Sequence, residues 1–193
     1  APALVKVGLQ AHVAHMLAFY FADAFYVAVD IGIAPWMVEF LQKVYGQSVS
    51  QSTLALSIFF GLIMVGRFVG SFFVERLGYL RSVLFAALAA SACLALSLFG
   101  PAQFFWMLPA SGFFLSIIFP TVTASVSSTY QANLNSLLGL LFTFAGFGGI
   151  FGPWLVGIAS DLGGIKFGFS LNLVFCLLTA AAAFVLLRLQ PRN

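Results

Sequence analysis

Charged side chains are scarce. The 8 Lys and Arg with 5 Asp and Glu make up 7% of 193 residues, against 62% hydrophobic ones, and mean hydropathy is +1.09. Soluble domains carry roughly 25% charged residues, so a soluble globular protein is excluded, and so is a disordered chain, which needs low hydrophobicity. A net charge of +3 spread thinly leaves no basic face for nucleic acid. Cysteine is limited to Cys93 and Cys176, both inside apolar runs, where a thiol is small apolar filler rather than a disulfide partner or metal ligand. Both histidines, His12 and His15, fall in the first apolar run, and neither a GxSG nor an HExxH motif occurs. An intramembrane hydrolase is thereby disfavoured, and no catalytic residue, metal or cofactor is expected. A cleavable leader is not expected either, because the first run carries Asp23 and Asp30 within it. With no low-complexity tract or long linker, residues 1–193 read as one domain.

What is abundant is apolar sequence in long runs. At roughly 30 residues per crossing with its loop, this length holds about six membrane-spanning helices. The predicted spans are residues 9–40, 53–73, 82–99, 104–125, 137–159 and 167–189. The first is expected to be interrupted at Pro35, with Trp36 as an interfacial anchor. Lys6, Arg76, Arg81, Arg188 and Arg192 collect on one side, with Lys43 and Lys166 opposite, so both chain ends are expected on the cytoplasmic side. The fold class is therefore an all-α, multi-pass integral membrane protein of a bacterial-type inner or plasma membrane.

In the first span His12, His15, Phe19, Asp23, Tyr26 and Asp30 recur every three or four residues, which places them on one helical stripe. An ionisable group at mid-span costs at least ~2.5 kcal/mol unless it faces the bundle interior or a wet cavity. The stripe is expected to point inward. Its functional meaning is a line that binds a proton, a cationic group or a substrate hydroxyl; its structural meaning is a polar seam between helices. Arg67 in the second span lies about 13 Å inside the end marked by Arg76 and needs a partner, for which Asp23 is the candidate by depth.

The fifth span carries Gly148 and Gly152 as a GxxxG surface for close helix approach, and Gly152 with Pro153 also suits a hinge. In the fourth span, Ser116, Thr121, Thr123, Ser125, Ser127, Ser128 and Thr129 surround Pro120. Their hydroxyls either repair the backbone bond that proline removes or line a hydrophilic path.

Four segments, in this order and over nearly the whole chain, resemble the carboxy-terminal six-helix half of a major facilitator superfamily transporter, in particular the fucose-permease-like branch. FYVAVDIGIAPWMVEFL is similar to that branch's seventh helix, with Asp30 where an acidic residue is common. GRFVGSFFVERLGYLR is similar to the superfamily motif between helices eight and nine, which implies a gating-loop role for Gly66, Gly70, Glu75, Arg76, Gly78 and Arg81. Ser71, Glu75 and Tyr79 depart from that motif, standing for its glycine, aspartate and first basic residue. IIFPT resembles the tenth helix, and FAGFGGIFGPWLVGIASD the eleventh helix with its following turn.

The resemblance implies one half of a secondary transporter for a small polar solute, sugar-like or an organic anion, with or without proton coupling, working by alternating access. Asp23, Tyr26, Asp30 and Arg67 would lie on its substrate or proton pathway. Partners are then the lipid bilayer, a second six-helix half or a homodimer mate, and the solute. The alternative is a non-transporting accessory subunit of a larger membrane complex, in which His12 or His15 would ligate a pigment or haem.

Overall fold

The computed structural model describes the backbone of residues 2–189 and the side chains of residues 13–189. The side chains of Lys6, His12 and Arg192 lie outside these described residues. Helix α1 (Pro2–Tyr45) is followed by α2 (Val49–Leu77) and α3 (Tyr79–Phe99). A short 3-10 turn (Ala102–Trp106), α4 (Met107–Leu115) and α5 (Ile118–Thr129) together make the fourth crossing, and α6 (Leu134–Gly163) and α7 (Ile165–Leu189) complete the bundle. Six of these segments are long and apolar enough to span a bilayer. Each expected span falls on one of these segments, the second, fourth and fifth overrunning their expected limits at both ends and the third and sixth ending at the expected residue.

The turns follow from local chemistry. Gly78 and Gly164 take φ of 81° and 83°, conformations that a Cβ disfavours, and so let α2 reverse into α3 and α6 into α7 without a loop. Ser48 opens α2 with a capping box: its hydroxyl accepts from the Gln51 amide at 3.2 Å, and the Gln51 side chain accepts from the Ser48 amide.

Proline acts differently at its two main sites. The interruption expected at Pro35 is absent, since α1 continues through it to Tyr45. Pro35 and Ile31, the residue whose carbonyl loses its donor, are both exposed. At Pro120 the missing N–H and the ring's clash with the carbonyl four residues earlier fall at Ser116, where α4 ends and α5 begins.

Helix α1 is the centre of the bundle, packed most extensively against α6 and α7, with α2 and α5 on its other side. Phe19, Ile33, Met37, Phe40 and Leu41 of α1 are fully buried, and Phe40 stacks on Phe169 of α7 at 4.3 Å between ring centres. The outer surface is apolar, with Phe99 of α3 and Leu162 of α6 both more than two-thirds exposed, as a lipid-facing surface requires. Cys93 and Cys176 are unbridged and buried, and Cys176 donates to the Ala87 carbonyl at 3.3 Å, in keeping with a packing role.

Glycine seams set how closely the helices approach. A Cβ at Gly148 would collide with the Ala24 carbonyl, and one at Gly152 would lie 2.6 Å from Ala28 Cα, so α6 rests backbone to backbone on α1. Gly66 and Gly70 do the same for α2, against the Phe113 carbonyl and Ser116 hydroxyl and against Ile117. These two glycines, assigned above to the loop motif, therefore serve helix packing well before the turn. Trp36, expected at the interface, is half-buried instead and donates to the Pro153 carbonyl at 3.1 Å. It reaches inward because α1 runs on for two further turns beyond it.

Candidate functional site

The polar stripe of α1 points inward as its periodicity requires. Asp23 is 0% exposed and Tyr26 1%, while His15 and Asp30 are half-buried. Two contacts fix how this face meets α5. His15 Nδ1 lies 2.5 Å from the Tyr130 hydroxyl just past the end of α5, and the Tyr26 ring sits 6.5 Å from that of Phe119. Eleven residues separate each pair along both chains, so the helices run antiparallel residue for residue. Asp23 is thereby level with Val122 and Thr123.

Neither Asp23 oxygen has a hydrogen-bond partner, nor do the buried hydroxyls of Tyr26 and Thr123. Such groups are costly in a membrane interior and mark a position where something else is accommodated. Other hydroxyls of the fourth crossing are already engaged. Ser116 donates to Phe113 at 2.7 Å, Ser127 to Thr123 at 2.9 Å, and Ser128 and Thr129 to Ser125, all through backbone carbonyls of their own helix. These hydroxyls donate within their own helix, and none of the four bonds reaches the Ser116 carbonyl that Pro120 leaves without a donor.

Arg67 does not pair with Asp23. Its positive charge acts on Asp30 and on Tyr26, without closing to ion-pair contact with either aspartate. The depth count misplaced it for a geometric reason. Gly66 seats α2 at the level of Phe113 and Ser116, and the α1–α5 register carries that level to Asp30, two turns from Asp23. Tyr26 stands between the aspartates, its hydroxyl facing Asp30 but not bonded to it.

Arg67 is also exposed. It lines a shallow depression of about 650 Å³ on the open side of α2, with Phe60, Ile63, Met64, Phe68 and Ser71. A guanidinium at mid-span among phenylalanines and methionine is not a lipid-facing arrangement.

The remaining motif residues lie elsewhere. Glu75, Arg76 and Arg81 are exposed at the α2–α3 turn and form no ion pair with one another; among the described residues the ion pair is Lys43 with Glu39 at 2.7 Å. Lys43 and Lys166 occupy the opposite end, where Lys166 sits 5.9 Å from the Phe99 ring. Pro153 lies within an unbroken α6, its carbonyl held by Trp36.

Sequence reasoning passed over two residues. Tyr130 follows the fourth span and offers no periodic signal. Asn172 is a lone amide inside α7, a detectable anomaly in an apolar run; it is fully buried, its Oδ1 unpartnered and directed at Gly32 of α1.

Comparison with known proteins agrees with this architecture. The family model described as Major Facilitator Superfamily matches residues 16–193. A Helicobacter pylori (strain J99) protein named "Putative glucose/galactose transporter" is 30% identical over 139 residues, covering 72% of this chain and 34% of that protein. A "Glucose/galactose transporter" of Brucella abortus biovar 1 (strain 9-941) is 27% identical over 152 residues, covering 77% of this chain and 37% of the relative. The chain thus spans about a third of the length of the curated relatives it matches. Its six apolar crossings, its inward polar stripe and the match over nearly all its residues lead to one conclusion: the chain is an integral, multi-pass membrane domain that belongs to the Major Facilitator Superfamily, a family of transporters rather than enzymes.

Proposed function

We propose that this chain is the carboxy-terminal six-helix half of a secondary transporter that moves a small polar solute by alternating access, driven by an ion gradient, with the proton as first candidate. The names of the relatives favour a hexose such as glucose or galactose. The observation that carries the proposal is Arg67, exposed at mid-span opposite Asp30 and Tyr26. A cation and an acid on neighbouring helices offer donors and acceptors to sugar hydroxyls. A second six-helix half, or a homodimer mate, laid over α2 would remove the guanidinium from lipid and close a polar chamber at the midplane. With Arg76, Arg81 and Arg188 at one end, the charge bias favours cytoplasmic chain ends in a bacterial-type plasma membrane.

The test is hexose counterflow in proteoliposomes holding the protein with its complementary half. Asp30→Asn and Arg67→Met are each expected to lower the initial rate at least about tenfold, the equivalent of one charge-assisted hydrogen bond. Unchanged flux in both variants refutes the assignment. The engaged hydroxyls of the fourth crossing favour a second reading, an accessory subunit built on the same fold. Isolation within a large assembly without solute flux would select it.

A further inference from the structure

We propose that the α2–α3 end of the bundle holds an anionic phospholipid, with one acyl chain in an apolar slot between α2, α3 and α4 and the phosphate on Arg81. The site goes beyond the transporter reading and does not depend on it.

The slot is the first half of the argument. Gly70, Phe73 and Leu77 of α2, Phe85 of α3, and Phe113 and Ile117 of α4 enclose about 270 Å³, and the wall presents no polar surface. The Ser82 hydroxyl, which also borders it, is turned back on the Gly78 carbonyl at 2.9 Å. From Gly70 to Leu77 the slot follows α2 for about 10 Å at 1.5 Å per residue. Phe73, Leu77 and Phe85 are exposed at its mouth. A space left unfilled forfeits dispersion contacts on every wall, and a lipid tail is the thin, flexible, apolar body that restores them.

This slot and the Arg67 depression lie on different sides of α2. Successive helical residues turn by about 100°, so Gly70, Phe73 and Leu77 stand about a third of the way round the helix from Met64, Arg67 and Phe68. A second half laid over Arg67 therefore leaves the slot facing lipid.

The rim is the second half. Leu77 is shared between the slot and a cup of about 230 Å³ formed with Tyr79, Arg81, Ser125, Ser128 and Thr129. The hydroxyls of Ser128 and Thr129 donate to the Ser125 carbonyl, which leaves Arg81 as the charged donor in the cup. Arg76 and Arg81 are exposed, and among the described residues neither forms an ion pair with Glu75 or any other acid. With Arg188 at the same end, positive charge prevails over Glu75. A guanidinium binds a phosphodiester through paired N–H donors. The excess positive charge favours a headgroup of net negative charge over a zwitterionic one, and anionic lipids belong to the cytoplasmic leaflet, the side that the charge bias favours for this end.

The experiment is photo-crosslinking of the protein with its complementary half, in phosphatidylcholine nanodiscs carrying a minor fraction of phosphatidylglycerol with a diazirine in one acyl chain. Adducts are expected on peptides holding Phe73, Phe85 and Phe113. Arg81→Gln is expected to lower their yield about fivefold, and a phosphatidylcholine probe with the same chain to label the slot at least about fivefold less than the phosphatidylglycerol probe. Soluble glycerol 3-phosphate is expected not to compete, since it lacks the chain. Adducts spread evenly over all outward helix faces, equal labelling by the two probes, or an Arg81→Gln variant that labels as the wild type overturns the proposal. Displacement by glycerol 3-phosphate also overturns it, by showing a site for free phosphate. Hexose counterflow is read separately, so the lipid site and the transporter reading stand or fall apart.

Discussion

Replacing Gly148 by alanine tests whether the α1–α6 seam is as close as the structure draws it. The added Cβ would collide with the Ala24 carbonyl oxygen and stand 2.8 Å from its carbon and 3.1 Å from Ala24 Cα. Ordinary contact begins near 3.5 Å, so α6 must retreat by roughly 1 Å, and the dispersion contacts along the seam weaken with it. All three atoms are backbone, so no rotamer change relieves the overlap. Overpacking of this kind costs about 1–3 kcal/mol. Exchanging glycine for alanine within a helix returns about 0.5–1 kcal/mol, which leaves a net loss of up to about 2.5 kcal/mol. For a chain of this size that is a fall in melting temperature of up to about 7 °C.

The internal control is Gly146→Ala, two residues away on the same helix. Its Cβ would meet nothing within 4 Å. Only the propensity gain applies there, and the melting temperature is expected to rise by about 2 °C. The assay is thermal unfolding of the detergent-solubilised protein followed by thiol-reactive fluorescence, since Cys93 and Cys176 are buried and free. Equal shifts for the two variants would refute the close approach.

Three further outcomes follow from single contacts. Trp36→Phe removes the bond to the Pro153 carbonyl at 3.1 Å and is expected to cost about 1 kcal/mol, read as a lower melting temperature; an unchanged midpoint would show that water or lipid replaces the bond. Tyr130→Phe removes the hydroxyl that meets His15 and is expected to loosen the α1–α5 contact by about 1 kcal/mol, seen as faster amide exchange at the end of α5 while α6 is unaffected. Joining Asp30→Asn to Arg67→Met in one variant is expected to lose less than the sum of the single losses in counterflow, because the two charges act on each other.

Much of this fold was legible because a bilayer leaves few choices. Long apolar runs must be helices, since no other unpaired backbone survives in hydrocarbon, and Gly78 and Gly164 mark where the chain reverses. The errors came where a local rule met tertiary packing. Pro35 reads as a break in any sequence, yet it is exposed and α1 continues through it. Trp36 reads as an interfacial anchor, yet the continuation of α1 moves it inward to the Pro153 carbonyl. Gly66 and Gly70 are four residues apart, a GxxxG spacing, and in the bundle both seat α2 against the fourth crossing.

The site was legible along one helix and illegible between helices. A periodicity of three and four residues suffices to put Asp23, Tyr26 and Asp30 on one face, because a helix fixes the azimuth of each side chain. Depth between helices needs a common reference level, and counting inward from each helix end does not supply one: Gly66 seats α2 at the level of Phe113 and Ser116, which the α1–α5 register carries to Asp30 rather than Asp23. The α1–α5 register supplies that level through a pair of aromatic contacts no single-sequence pattern encodes. With it, the two aspartates separate into different surroundings: Asp30 within the field of an exposed arginine, and Asp23 sealed away from any cation in the described bundle. One residue type on one face thus meets two electrostatic problems. The first is answered by an arginine that itself requires cover from a second half, and the second by no cation among the described residues, which is why the two carboxyls cannot share one role.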